Sequence, residues 1–513
     1  MEARPTEDAS AQNAKQNVEQ NVEREVKLSA PPAFRMPELA APDDALQALA
    51  LEPQRLQTTY FDTEDLRLAR WGMSLRFRVG QGWTLKLPGN ADGPLLVRGE
   101  YTFSGDAAHP AKEALDLARA SIRSARLKPV TRLRTVRRRI RLLDAEGTLL
   151  AEVSDDEVSI LPGRRIAARF RELEVEITDA MPGELLERVV GDLRAAGAGE
   201  PDPTPKYVRA IGPRASEPPD VVVETLPSHP TAGDLLRRAI SDSVLQLLQN
   251  DVVIRIGEDP EGVHRARVAT RRLRSHLRTF RPLLDEAWNR SLRDELGWLG
   301  DVLGASRDAD VLLERMQHRA QDLSEPDRAA ADAVLRSLTD ERARTRRALI
   351  RAIGSDRYVD LLDRLVEASR VPPFTEAAAE PAATLLPLVA SQWRSLRRRV
   401  KTLSDPPADT ELHRVRIHAK RSRYAAEAVT PVAGKPAKAF AAAAADLQSV
   451  LGTHNDGVVA VRWLRAWSAG NAEAGAFGAG VIAGLERAEA NESRREWRRV
   501  WKELLKRRPS TWT

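Results

Sequence analysis

The segment HRARVATRRLR, His264 to Arg274, recurs 149 residues further on as HRVRIHAKRSR, His413 to Arg423. A second pair of matching pieces follows, VLGASRD at Val302–Asp308 and VLGTHND at Val450–Asp456. Two tandem helical halves, roughly 150 residues apart, are the simplest account of this repetition. The repeated segment has helical spacing. Positions 0, 3, 7 and 10 of an α-helix fall within about 80° of arc, so His264, Arg267, Arg271 and Arg274 share one face. His413, Arg416, Lys420 and Arg423 do the same in the second copy. Opposite them in the first copy run Ala266, Ala269, Leu273, Leu277 and Phe280, a stripe suited to a core.

Cations on a helix face ordinarily find carboxylates at i,i+4. Here no Asp or Glu stands between His264 and Arg281, or between His413 and Ala426. Neutralisation has to come from acids of another helix or from an extended polyanion, whose phosphates accept charge-assisted bonds from Arg and release counterions on binding. Net charge is only +6 with 30% of residues charged, so any anion binding is local rather than a property of the whole field. Phe280 and Tyr424 are the only aromatics near the cationic faces, too few for base stacking, and nucleic acid is not the expected partner.

The N-terminal part follows a different rule. Polar and apolar residues alternate over Val22–Leu28, Leu56–Phe61, Ser74–Val79, Trp83–Leu87, Leu149–Ile160 and Arg171–Ile177, with helical patterns near Ala111–Ala125 and Glu184–Ala196. This predicts an α+β domain with a largely antiparallel sheet. Prolines cluster over 213–230 and end it; from Thr231 onward the pattern is helical only. The expected organisation is a disordered polar tail at 1–20, the first domain at 21–212, a linker at 213–230 and an all-α domain at 231–513, with repeats at about 231–370 and 380–513. No cysteine is present, which removes disulfides and thiolate chemistry and fits a reducing cytoplasm. No run of about eighteen apolar residues exists, so a soluble protein with no membrane partner is expected.

The strands carry the chemistry. Glu23, Glu25 and Lys27 project from one side of the first strand, and Glu172, Glu174 and Glu176 from one side of another. Arg76 and Arg78, Lys86, and Arg98 with Glu100 alternate with apolar neighbours in the same way. If the strands close into a barrel, these side chains converge on a lumen, where unbalanced charge is costly without metal and anion to offset it. In AEVSDDEV, parity puts Asp156 rather than Asp155 with Glu152 and Ser154. In TRLRTVRRRIRLLD the cations change parity, and a bulge bringing both Arg134 and Arg137 to the lumen is expected.

The ordered motifs E-x-E-x-K at Glu23–Lys27, YFDT at Tyr60–Thr63, SLRFR at Ser74–Arg78, WTLKLPG at Trp83–Gly89, ELEVEI at Glu172–Ile177 and PKYVRA at Pro205–Ala210 resemble the CYTH domain, the triphosphate tunnel metalloenzyme fold. The resemblance implies a closed antiparallel β-barrel. Its metal ligands for Mg²⁺ or Mn²⁺ would be Glu23, Glu25, Asp156, Glu172 and Glu174, with Lys27 joining Glu23 and Glu25 in catalysis. Phosphates would be gripped by Arg76, Arg78, Lys86, Arg98, Arg134, Arg137 and Lys206. The doubled H-x-x-R-x-x-x-[RK]-x-x-R resembles the CHAD domain, the conserved-histidine α-helical domain of two four-helix halves. That resemblance implies binding of inorganic polyphosphate, and association with polyphosphate granules, through the eight face residues named above and Arg307. Arg307 has Asn455 as its counterpart, and Glu427 stands where the first copy has Arg278, so the second half is expected to contribute less. Taken together, the expected function is metal-dependent hydrolysis of inorganic triphosphate or a relative, through attack of a metal-activated water. The alternatives are a non-catalytic granule-binding protein and an adenylate cyclase.

Overall fold

The computed structural model describes residues 18–39, 46–161, 165–470 and 476–509, and it divides into two compact units, 1–220 and 221–513. The division falls inside the proline-rich 213–230 segment.

The first unit is a closed antiparallel barrel. Its strands are β1 (Val18–Ala30), β2 (Gln47–Asp62), β3 (Ser74–Arg78), β4 (Gly82–Lys86), β5 (Asn90–Asp92), β6 (Leu95–Phe103), β7 (Lys128–Leu143), β8 (Leu149–Ile160) and β9 (Ala168–Ile177). The order β1-β9-β8-β7-β2-β3-β4-β6 closes because β1 also pairs with β6, and β5 adds at β6. Closure removes the sheet edges and splits every strand into a lumen face and an outer face. Val26, Leu28, Leu173 and Val175 lie on the outer face and pack with Val189 and Leu193 of a helix over Gly183–Ala195. Glu25, Lys27, Glu172 and Glu174, at the alternate positions, are left facing inward. β1 starts earlier than the sequence pattern suggested: Val18, Glu19 and Gln20 pair with Phe103, Thr102 and Tyr101. The expected disordered tail at 1–20 is therefore wrong for its last three residues, which extend the β1–β6 ladder, while 1–17 lie outside the described residues.

The second unit is helical, and its helices are labelled here α1 (Ala232–Ile256), α2 (Glu261–Thr279), α3 (Glu286–Gln321), α4 (Glu325–Ile353), α5 (Asp356–Arg370), α6 (Leu386–Lys401), α7 (Asp409–Gly470) and α8 (Ala476–Lys506). A capping box between Thr231 and Asp234 starts α1, and Gly257 at φ 84° ends it. α7 is two helices joined at Gly434, whose φ of 62° and ψ of −150° break the ladder between Pro431 and Pro436. The first repeat motif lies on α2 and α3, the second on the two limbs of α7. Leu313 and Met316 of α3, Val334 and Leu338 of α4, Leu464 of α7 and Ile482 of α8 form one buried cluster that joins the halves. Among the described residues no helix is long and apolar enough to cross a membrane.

Candidate functional site

Each unit carries a charged site among its described residues. The first is a cavity of about 430 Å³ inside the barrel. It is lined by cations and carboxylates of neighbouring strands, because antiparallel register sets Glu23 beside Arg98, Lys27 beside Glu174, Lys86 beside Glu100 and Arg137 beside Asp156. Arg98 donates to Glu23 at 2.9 Å and to Glu25 at 2.6 Å, and Lys27 to Glu174 at 2.6 Å. Lys86 bonds Glu23 and sits 2.8 Å from Glu100. Arg137 clamps Asp156 with two bonds at 2.8 and 2.7 Å and reaches Glu174 at 2.7 Å. Lys206, brought in by the helix Lys206–Ile211, bonds Asp156 and lies 2.9 Å from Glu174.

The electrostatics follow from crowding. Burial opposes ionisation of Glu23, but Lys86 and Arg98 outweigh it and hold the carboxyl below its usual range. Burial likewise opposes charge on Lys27, yet Glu174 and Glu25 keep it protonated. Burial and the neighbouring Glu23 push Glu176 up to about 7. Burial and Arg76 lower Arg78 to about 10. Glu172 is fully buried and both of its carboxylate oxygens have no hydrogen-bond donor, the nearest cations being Lys206 at 3.3 Å and Arg209 at 3.6 Å.

Of the residues expected here, Glu23, Glu25, Lys27, Arg76, Arg78, Lys86, Arg98, Arg137, Asp156, Glu172, Glu174 and Lys206 are gathered in or directly behind the lumen. Asp155 faces the other way and pairs with Arg171 at 2.7 Å. Arg134 is a correction. From Leu133 to Leu142 β7 runs opposite β8 without a shift, so parity keeps the exposed Arg134 on the outer face; the register shifts against β2 fall elsewhere, one between Leu51 and Gln54 and one at Val130 of β7, ahead of Arg134. Sequence reading missed Tyr60 and Tyr207, whose rings stack at 5.2 Å beside the cavity, and gave no role to Glu100 or Glu176. The YFDT and PKYVRA motifs, which hold the two tyrosines, were the available signal.

Mg²⁺ or Mn²⁺ would suit such hard oxygen donors. Among the described residues no three carboxylate or imidazole groups converge as a finished metal site, since the lumen carboxylates are turned toward cations. The residues still fit a cation, because the two buried acceptors of Glu172 lack donors.

The second site lies where α2 packs against α7. Arg267 and Arg271 of α2 meet Arg416 and Lys420 of α7, so the two repeat faces converge instead of standing apart. Burial lowers the pKa of Arg271 against the pull of Tyr424, and Arg267 and Arg416 lower it further. Burial and the charges of Arg271 and Arg416 bring Lys420 down to about 6. Nε of Arg271 and of Arg416 are buried donors with no acceptor. The glycines shared by the two Val-Leu-Gly pieces lie under these cations: a Cβ on Gly304 would sit in van der Waals contact with Arg267 at 3.6 Å, and one on Gly452 with Arg416 at 3.5 Å. Each glycine is the surface on which a guanidinium of the facing helix lies.

The remaining expected contacts are arranged unequally. Arg267 reaches Asp308 at 3.1 Å, Arg307 sits 3.6 Å from Glu261, and His413 Nδ1 is 2.6 Å from Asn455 Oδ1. His264 is half-buried, with its pKa lowered by burial and by Arg307 and Arg271 against the pull of Glu261. Arg274 lies over Gly297 and belongs with Arg278, Arg293 and Arg421, while Arg423 is tied to Glu427 at 2.7 Å.

The closed barrel with its interleaved charged lumen, followed by a duplicated helical unit, defines a triphosphate-tunnel protein with a helical appendage. The CYTH domain model matches residues 19–194 and the CHAD domain model residues 238–465. The chain belongs to the CYTH and CHAD families. It is 34% identical over 435 residues to the uncharacterized protein Rv2226 of Mycobacterium tuberculosis, covering 79% of this chain and 81% of that protein. Among solved structures it is similar to PptA from Streptomyces chartreusis, with 27% identity, a TM-score of 0.44, and 53% and 99% of the two chains covered. It is also similar to the CHAD domain from the plant Ricinus communis, with 26% identity, a TM-score of 0.46, and 56% and 95% covered.

Proposed function

We propose that the barrel hydrolyses inorganic triphosphate, or a closely related triphosphate, with Mg²⁺ or Mn²⁺, and that the helical unit binds inorganic polyphosphate. The observation that carries the first half is a lumen in which cations and carboxylates alternate around the wall and cancel. A triphosphate entering alone would leave excess negative charge in a low-dielectric site, so the lumen favours an anion that enters together with divalent cations. Lys27, Arg76, Arg78, Lys86, Arg98, Arg137 and Lys206 would exchange their carboxylate partners for phosphate oxygens and hold the chain in line. The carboxylates thus released, Glu23, Glu25, Asp156, Glu172 and Glu174, would hold the metal. When bound, the metal would supply neutralisation of phosphate oxygens and a polarised water. Phosphoryl transfer asks for little else from a protein than positioning and charge.

For the helical unit, the supporting observation is the meeting of Arg267, Arg271, Arg416 and Lys420, with two buried guanidinium donors unpaired. Three guanidinium groups brought together, of which only Arg267 has a carboxylate partner among the described residues, in Asp308, repel one another and push the Lys420 amine toward its neutral form unless a polyanion neutralises them. Polyphosphate granules are the place where such a ligand is concentrated, and association with them is part of the proposal.

The test is phosphate release from tripolyphosphate, ATP and long-chain polyphosphate, each with Mg²⁺, Mn²⁺ or chelator. The double variant Glu23→Gln, Glu25→Gln is expected to lose metal-dependent release and keep long-chain polyphosphate binding. Unchanged turnover in that variant would refute the tunnel assignment.

A further inference from the structure

The two repeats share one pattern but not one charge, and besides Arg307, which has Asn455 as its counterpart, the inequality falls at the two ends of the helical site. At a spacing of 149 residues, Arg274 corresponds to Arg423, Arg278 to Glu427, and Arg272 to Arg421. In the register of the Val-Leu-Gly pieces, Arg293 corresponds to Ala441. The packing of α2 on α7 brings each set together at its own end of the central cluster.

At one end the set is closed. Glu427 accepts from Arg272 at 3.0 Å and from Arg423 at 2.7 Å, bridging the two helices. Arg423 also reaches Gln448 at 3.4 Å, and Asp242 lies 3.8 Å from Arg272. Both guanidinium planes lie near the Tyr424 ring, at 5.5 and 5.7 Å. These cations are already engaged.

At the other end the same positions are all cationic. Arg421 is flanked by Arg278, Arg293 and Arg274. Arg293 has Arg278, Arg274 and Arg281 around it, with Asp294 as the opposing charge, and its Nε is a buried donor without an acceptor. Among the described residues none of Arg274, Arg278, Arg293 and Arg421 has a carboxylate within ion-pair distance. Arg274 rests over Gly297, where a Cβ would come within 3.2 Å of the guanidinium. Arg399 adds a further cation beyond this set, near His418, whose own pKa is lowered by burial and by Arg421, so the imidazole itself adds no charge. Arg274 and Arg278 are exposed and Arg293 and Arg421 half-buried, so water screens part of their repulsion, yet among the described residues no carboxylate offsets it as Glu427 does at the other end.

We propose that bound polyphosphate leaves the central cluster in one direction only, over Arg274, Arg278, Arg293 and Arg421, while Glu427 closes the pseudo-equivalent exit by holding Arg272 and Arg423. The site is then polar in the sense of direction: a chain end docks against the Glu427 side, and the length of the chain is read on the arginine side. The proposal rests on the reading of the helical unit as a polyphosphate binder and adds to it where the chain runs.

The experiment measures binding of long-chain polyphosphate and of tripolyphosphate to the full chain across a range of salt concentrations. The parent is compared with Arg278→Ala, Arg293→Ala and with Glu427→Gln, and helical content is checked by circular dichroism. The tunnel is unaltered in both variants and contributes equally. The arginine double variant is expected to lose about two units of salt slope and at least about tenfold in long-chain affinity, with tripolyphosphate binding little changed. Glu427→Gln frees Arg272 and Arg423, opens the second exit, and is expected to raise long-chain affinity and steepen the slope. A double variant with the parent's slope and affinity, or a weakened Glu427→Gln, overturns the proposal while leaving polyphosphate binding in place. If the parent itself retains no long-chain polyphosphate, the underlying reading of the helical unit falls, and the directional one falls with it.

Discussion

Lys420 offers a direct way to weigh the helical site. Its amine lies among Arg271, Arg416 and Arg267, with Asp456 acting in the opposite sense, and burial with those like charges brings its pKa from 10.5 to about 6. At pH 8, two units above that value, only about one molecule in a hundred carries the proton. A polyanion laid over the cluster reverses the local potential and returns the amine to its charged form. Binding at pH 8 should therefore take up about one proton per protein, and affinity should fall by up to about tenfold for each unit of rising pH above 6. His264 ordinarily titrates lower and is neutral in the free protein at pH 8. The assay is titration calorimetry with long-chain polyphosphate at pH 8 in buffers of different ionisation enthalpy, on the parent and on Lys420→Met, which keeps the unbranched stem. The parent should show the uptake and the variant should lose it, with a flatter affinity profile. The sign for stability is also set. A folded pKa below the unfolded one makes Lys420 a burden that is full below pH 6 and vanishes as pH rises toward 10.5. The ligand-free methionine variant should thus melt higher than the parent at pH 7. No proton uptake by the parent, or the same uptake by both proteins, refutes the assignment.

Three further outcomes are expected. Replacing Arg267, Arg271 and Arg274 by Ala should weaken long-chain polyphosphate binding and lower the salt slope by about three, with circular dichroism unchanged because Leu273, Leu277 and Phe280 keep the buried side of α2. Arg137→Ala should slow triphosphate turnover by an order of magnitude or more, whereas Arg134→Ala, on the outer face, should leave steady-state rates as they are. Glu486→Gln should lower the thermal midpoint of the helical unit. Glu486 is fully buried between Arg315 and Arg319, and removing one partner of such a network costs about 3–5 kcal/mol.

Much of the lumen was legible because a strand has a strict period of two. Once Val26, Leu28, Leu173 and Val175 are assigned to the core, Glu25, Lys27, Glu172 and Glu174 have only one other side to occupy. The same rule fails where both parities carry cations, as in β7. There Arg134 and Arg137 differ by an odd number of positions, and only the actual pairing with β8 decides between them. Alternation also placed Glu100 and Glu176 on the lumen side without giving them a task, whereas Tyr60 alternates like any strand residue and Tyr207 is brought in by a short helix that strand parity cannot describe.

For the helical unit, sequence alone determined that there are two copies, that each presents a cationic helix face, and that the second copy has Glu427 and Asn455 where the first has Arg278 and Arg307. Helical periodicity is a local property, set within a few residues, so it survives in any tertiary context. Tertiary structure decided which cations meet. Arg267 and Arg271 gather with Arg416 and Lys420 from the opposite repeat, Arg274 departs to join Arg278, Arg293 and Arg421, and Arg423 is held by its own Glu427. Such groupings depend on how two helices about 150 residues apart in the chain cross and on which side chains lie over Gly304, Gly452 and Gly297. Charges act through space on whatever neighbour packing supplies, and no pattern along the chain carries that distance.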